Sequence, residues 1–137
     1  MSAAKTFIDT NILIYAYSAN EPDKQKKVLK FLDDCLPVVS TQVLKEFSNV
    51  LLRKRSVRLE NIKEIIGEIA DVADVVNEEL ALIFASFDIH ERYRFSFYDS
   101  LIIAAAINAR CQALLSENLQ DGQIIDGKLR IINPFKA

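Results

Sequence analysis

Thr6-Phe7-Ile8-Asp9-Thr10-Asn11-Ile12-Leu13-Ile14 is the stretch on which the reading of the chain turns. Residues 5–8 are too few for a helix and are rich in Thr, Phe and Ile, so they read as a short buried strand. One carboxylate interrupts the apolar run, and a helix-like apolar group resumes at once. Asp9-Thr10-Asn11 is therefore the end of a strand and the start of a helix. In an open parallel α/β sheet, ligands sit beyond the carboxyl ends of the strands, and Asp9 would stand at such an end. On this stretch alone the simpler reading is that Asp9 or Thr10 caps the next helix.

Working outward, the same alternation recurs. Residues 11–18 form a short apolar helix. Pro22 opens an amphipathic helix over 22–34, with Val28, Leu29 and Leu32 inward and Lys24, Lys26, Lys27 and Lys30 toward water. Leu36-Pro37-Val38-Val39 is a second strand, and Ser40 or Thr41 caps a helix over 41–54. Val43, Leu44, Phe47, Val50 and Leu51 give that helix a 3.6-residue repeat, with Glu46 on the flank of the stripe. Arg53-Lys54-Arg55 and Arg58 follow as a basic cluster. Residues 58–70 form another amphipathic helix, and residues 73–76 a weak third strand.

Asn77 is expected to cap a helix with Glu78 and Glu79 in its first turn and Leu80, Ile83, Phe84 and Phe87 on its inner face. Arg92-Tyr93-Arg94-Phe95 reads as a helix end and loop, with base stacking the alternative. The helix over 97–110 is apolar on all sides around residues 101–107, so it is buried, and Ser96 with Asp99 fits a capping box at its start. Residues 113–116 are a fourth strand, ending in the polar loop Glu117-Asn118-Leu119-Gln120-Asp121-Gly122. After a turn at Gly127, residues 129–132 are a fifth strand.

The totals narrow the chemistry. The 137 residues suit a single domain, 1–137, and half of them are hydrophobic, enough for a real core. A net charge of −2 argues against a broad basic surface for nucleic acid, without excluding a local basic patch. No secretory signal is apparent, because Lys5 and Asp9 break the first apolar stretch, and no apolar run approaches the ~20 residues that span a bilayer. Cys35 and Cys111 read as buried thiols in a reducing cytoplasm. His90 is the single histidine, and Gly67, Gly122 and Gly127 form neither a P-loop nor a dinucleotide fingerprint. A histidine pair, a Cys/His zinc site and a nucleophile elbow are set aside, which leaves carboxylates as the catalytic groups.

Alternating strands and helices imply a parallel sheet with right-handed crossovers. Asp9 ends the first strand, Glu46 follows the second, and residues 116–121 follow the fourth. Asp99 reaches the same edge only if the two helices between the third and fourth strands form an out-and-back excursion. Two like charges ~5 Å apart repel by roughly 3 kcal/mol at an effective dielectric of ~20. Three or four converging carboxylates therefore call for Mg²⁺ or Mn²⁺, hard ions that take oxygen ligands and suit phosphodiester hydrolysis.

Four blocks carry a resemblance: Phe7-Ile8-Asp9-Thr10-Asn11-Ile12-Leu13, Ser40-Thr41-Gln42-Val43-Leu44-Lys45-Glu46-Phe47, Tyr98-Asp99-Ser100-Leu101-Ile102-Ile103-Ala104-Ala105-Ala106, and Leu114-Leu115-Ser116-Glu117-Asn118-Leu119-Gln120-Asp121-Gly122. In this order they resemble a PIN domain of the VapC-type toxin branch, over essentially the whole chain. The resemblance implies a three-layer α/β/α fold whose central parallel sheet of about five strands is ordered 3-2-1-4-5. It also implies Mg²⁺- or Mn²⁺-dependent cleavage of RNA, a cognate antitoxin, a homodimer and no membrane. Asp9, Glu46 and Asp99 match the family's acidic ligands, and Thr10, Asn11 and Ser116 its supporting polar positions. Asn118 departs from the family, which usually has Asp there; Glu117 or Asp121 could supply the charge, with Asp121 as a further metal ligand. A catalytically weak PIN fold that binds RNA or protein is the alternative. A receiver-like signalling domain needs an acid pair after the first strand and a lysine after the fifth, and neither is present.

Overall fold

The computed structural model describes residues 3–136. The first strand, β1 (Ala4–Ile8), runs directly into α1 (Thr10–Ala16) through Asp9. There follow α2 (Pro22–Asp33), β2 (Cys35–Ser40), α3 (Thr41–Arg53), α4 (Leu59–Val72) and β3 (Asp74–Val76). The second half comprises α5 (Leu80–Tyr93), α6 (Phe97–Asn108), β4 (Ala113–Leu115), β5 (Ile124–Ile125) and β6 (Leu129–Ile132).

The sheet runs β3-β2-β1-β4-β6-β5, parallel throughout except for the last pair. The five parallel strands stand in the expected order, with β6 in the fifth place. The short edge strand β5 is an addition. Ile125-Asp126-Gly127-Lys128 closes a tight hairpin in which Asp126 and Gly127 both have positive φ, at 52° and 66°. That is the backbone of a type I′ turn, which Asp-Gly favours because glycine has no Cβ penalty there.

Strand order reverses between β1 and β4, whose connections leave in opposite directions. Ile8 is paired with Leu115, so the next residues, Asp9 and Ser116, leave the sheet side by side. The crevice beyond them is the usual ligand position of a doubly wound sheet.

Helices cover both faces of the sheet, and α1 packs against α2 and α3. α6 lies against β2 and β4 and carries α5 on its outer side. Ser100 to Ala106 of α6 are all buried, as its uniformly apolar sequence requires. Phe7, Ile103, Leu114 and Ile131 are completely buried at the centre.

Several side-chain assignments differ from expectation. α5 begins at Leu80, not at Asn77, because Glu78 is tied to α3: its N–H donates to Thr41 Oγ1 at 3.3 Å, and Thr41 Oγ1 donates to Glu78 Oε1 at 3.4 Å. The face of α5 against α6 is Leu82, Ser86 and Ile89; Leu80 and Phe84 are 68% and 61% exposed. Ser86 sits in the middle of the buried face, with its hydroxyl donating to Ile83 O at 2.6 Å, and it masks that face in a hydropathy pattern. Leu29 of α2 is also largely exposed, since α2 meets α1 through Val28 and Leu32. Arg92 and Tyr93 end α5 by gripping Asp126 of the β5–β6 turn, so this stretch is a structural clasp. No helix among the described residues is long and apolar enough to cross a membrane.

Candidate active site

Asp9 combines both of its sequence readings. It caps α1, with Thr10 N–H donating to Oδ1 at 2.7 Å, and its other oxygen faces β4, where Ser116 Oγ donates to Oδ2 at 2.9 Å. Its own N–H donates to Leu115 O at 3.1 Å, which fastens the strand end. Asn118 N–H donates to Ser116 Oγ at 3.3 Å, extending the network into the loop after β4.

The Asp9 side of this network is dry, with Asp9 only 7% exposed. Its carboxyl is pushed up to about 6, mainly by burial and in part by the negative charges of Asp99 and Glu46, against the hydrogen bonds from Ser116 and Thr10, which pull it down. Three carboxylates from β1, α3 and α6 therefore share one electrostatic neighbourhood. Asp99 stands in the first turn of α6, where its N–H donates to Ser96 Oγ at 3.1 Å. The α5–α6 excursion thus returns the start of α6 to the edge where β1 ends. Glu46 is exposed on α3, and Gln42 Nε2 donates to its Oε1 at 3.0 Å.

The remaining candidates divide. Asn11 is half-buried in the first turn of α1, and Asn118 is exposed in the loop after β4. Glu117 and Asp121 are bonded elsewhere. Glu117 accepts from Tyr15 Oη at 2.8 Å and from Lys24 Nζ at 2.8 Å. These contacts to Lys24 and Tyr15 hold its carboxyl below the usual range against a burial effect that acts upward. Lys24, expected in water, instead lies over the rings of Tyr15 and Phe135. Asp121 Oδ1 accepts from Asn133 N–H at 2.9 Å, which ties the loop to the end of β6.

Gln42 and Lys24 were not among the sequence candidates. Gln42 could have been found from its four-residue spacing to Glu46 on one helix. Lys24 meets Glu117 across 93 residues of chain, and nothing local points to the pair.

Every donor here is a hard oxygen: carboxylates, an amide and hydroxyls. Among the described residues, no three acidic, histidine or cysteine side chains are close enough to hold an ion as they stand. Two hydroxyls beside the acids, Thr10 Oγ1 and Ser100 Oγ, are buried and have no hydrogen-bond partner. Buried polar atoms are ordinarily paired, so these two fit a site that also takes up a hydrated or oxygen-bearing group. The donor set therefore suits a divalent ion of the Mg²⁺ or Mn²⁺ type.

A doubly wound α/β protein with an acidic crevice at its switch point is the class that fold and site define. The chain belongs to the PIN domain family, whose sequence profile matches residues 6–120. PIN domains are in general nucleases. No curated protein sequence matches the chain.

Solved structures that share its fold include the following three. A toxin–antitoxin complex from Klebsiella pneumoniae superposes with a TM-score of 0.73 at 18% identity, covering 96% of this chain and 99% of that one. VapC20 from Mycobacterium tuberculosis, a Sarcin-Ricin loop cleaving toxin, gives 0.65 at 17% identity over 80% and 86% of the two chains. VapBC2 from Rickettsia felis, bound to a DNA fragment from its promoter, gives 0.66 at 16% identity over 94% and 99%.

Proposed function

We propose that this chain is a metal-dependent endoribonuclease and the toxin of a type II toxin–antitoxin pair. The observation that carries this reading is a buried carboxylate, Asp9, lying in the field of two others, Glu46 and Asp99, at the switch point of the sheet. The toxin–antitoxin complexes among the similar structures, and the Sarcin-Ricin loop cleaving toxin beside them, support the choice of substrate and of an antitoxin as partner.

Asp9 and Asp99 would hold Mg²⁺ or Mn²⁺, with Asn118 and the second oxygen of Asp121 completing the shell. When bound, the ion supplies charge against the phosphate oxygens and makes a coordinated water more acidic. Glu46, steadied by Gln42, keeps one oxygen available to take the proton of the attacking water. Ser116 and Thr10 N–H fix both Asp9 oxygens, so the carboxylate is held before substrate arrives. Asn11 adds a polar group at the mouth of the crevice.

The second reading, a catalytically weak PIN fold that binds RNA or protein, is favoured by one feature. Asn118 is neutral, and Glu117, which could have replaced its charge, is neutralised by Lys24.

Purified protein is expected to cut single-stranded RNA with Mn²⁺ and to stop in EDTA. Asp9→Asn should lose at least a hundredfold in rate while keeping its fold by circular dichroism. Asn118→Asp should cut faster than the parent with millimolar Mn²⁺, and in EDTA should melt lower, because it adds a fourth like charge. An Asp9→Asn protein that cuts like the parent refutes the site. A parent that binds RNA without cutting it, and whose Asn118→Asp variant cuts, establishes the weak-enzyme reading.

A further inference from the structure

We propose that the cavity between α1 and the carboxyl end of α3 receives the RNA strand next to the scissile phosphate, with Lys54 and Arg55 binding backbone phosphate and Tyr17 stacking on a base. This rests on the ribonuclease reading above and adds a substrate subsite to it. The cavity measures about 830 Å³, and Asn11, Tyr15, Tyr17, Asn20, Lys54 and Arg55 line it together with four apolar side chains. That lies within the ~300–1,000 Å³ of ordinary ligand sites.

Its near wall carries Asn11, from the helix that Asp9 caps. Asn11 is two residues past Asp9, in the first turn of α1. Its far wall is cationic. Lys54 and Arg55 are both exposed. Arg55 Nη1 donates to Asn20 Oδ1 at 3.4 Å, which draws the guanidinium toward the turn after α1.

Between the two walls, Tyr17 meets Phe47 at a tilt of 58°, with centroids 5.7 Å apart, and remains 37% exposed. An aromatic ring with exposed surface can take a base by stacking, and stacking tolerates any base. A divalent ion among the acids and cations at the opposite wall would give a polyanion two anchors.

Cations at the end of α3 also suit the negative pole of that helix, and this accounts for Arg53 and Lys54. It does not account for Arg55 reaching toward Asn20, or for an exposed aromatic ring lining the same cavity.

The test uses a fluorescein-labelled, random-sequence, 20-nucleotide single-stranded RNA. Binding is read by anisotropy in EDTA, where the strand is not cut, and cleavage is read with Mn²⁺. Lys54→Glu/Arg55→Glu should raise Kd and KM at least tenfold, keep kcat within twofold, and reduce the slope of log affinity against log salt by about 1.4. Tyr17→Leu should weaken binding about 5-fold to 100-fold with an unchanged salt slope. Lys26→Glu/Lys27→Glu on α2, an equal change of charge on exposed side chains, should alter neither.

Equal losses in the two double variants would reduce the effect to overall charge and overturn the subsite. So would normal RNA binding by Lys54→Glu/Arg55→Glu together with lost binding of the cognate antitoxin, which would assign the cavity to the protein partner. A parent that neither binds nor cuts RNA removes the ribonuclease reading itself, and that outcome is visible before any variant is made.

Discussion

At the scale of single residues, Asp9 dominates. A carboxyl that titrates near 3.8 when unfolded and at about 6 when folded binds its proton more tightly in the folded state between those values. In metal-free protein its contribution to stability is therefore most favourable below pH 4 and declines as pH rises toward and through 6. The two-unit difference corresponds to about 3 kcal/mol. Asp9→Asn has no charge to bury, and Ser116 can turn its hydroxyl to accept from the new amide. In EDTA at pH 7.5 the variant should therefore melt above the parent, by up to about 3 kcal/mol, and the gap should close by pH 4. Thermal melts across that range decide it; a parent more stable than the variant at pH 7.5 would mean that the carboxylate is stabilised by its surroundings.

At the scale of elements, α5 and α6 form a pair with opposite characters. α6 is apolar all round and had one place to go, under α5 and against the sheet. α5 offers two candidate faces, and α6 covers the one built on Leu82, Ser86 and Ile89. Leu82→Ala is expected to destabilise the protein by about 2–4 kcal/mol in urea unfolding, as for other buried leucines. Ser86→Ala should change stability by less than about 1 kcal/mol, since the hydroxyl bonds only within its own helix. If Ser86→Ala cost more than Leu82→Ala, the buried face would be organised by its polar group and not by packing.

At the scale of the molecule, an apolar stripe that runs from the outer side of α5 onto the first turn of α6 is left uncovered. Leu80, Phe84, Phe87, Phe97 and Tyr98 line it, and successive aromatic rings touch at centroid distances of 6.1, 5.8 and 5.6 Å. An exposed run of large apolar groups of this kind commonly marks an interaction surface. Pairing with a second copy about a twofold axis would cover the stripe with its own like. Light scattering should therefore find a dimer, and Phe84→Glu/Phe87→Glu should convert it to a monomer with little change in melting temperature. A double variant that remains dimeric would move the contact to another surface.

The strand–carboxylate–helix junction at Asp9, the run of alternating elements, the buried α6 and the caps at Ser40 and Ser96 were all legible in the chain, because periodicity and capping depend on residues within a turn or two of one another. So was the short list of acids at element ends, together with the oxygen chemistry that follows from having one histidine and no cysteine pair. The β5 hairpin was signalled by Asp126-Gly127, although the two-residue strand before it was too short for any pattern to register. Tertiary structure alone decided which face of α5 is buried, since that depends on where α6 lies and not on the hydropathy of α5. It also decided the fate of Glu117, whose charge is met by Lys24 from the other end of the chain, and the protonation of Asp9, which is set by water excluded when β1, β4 and α1 close around it.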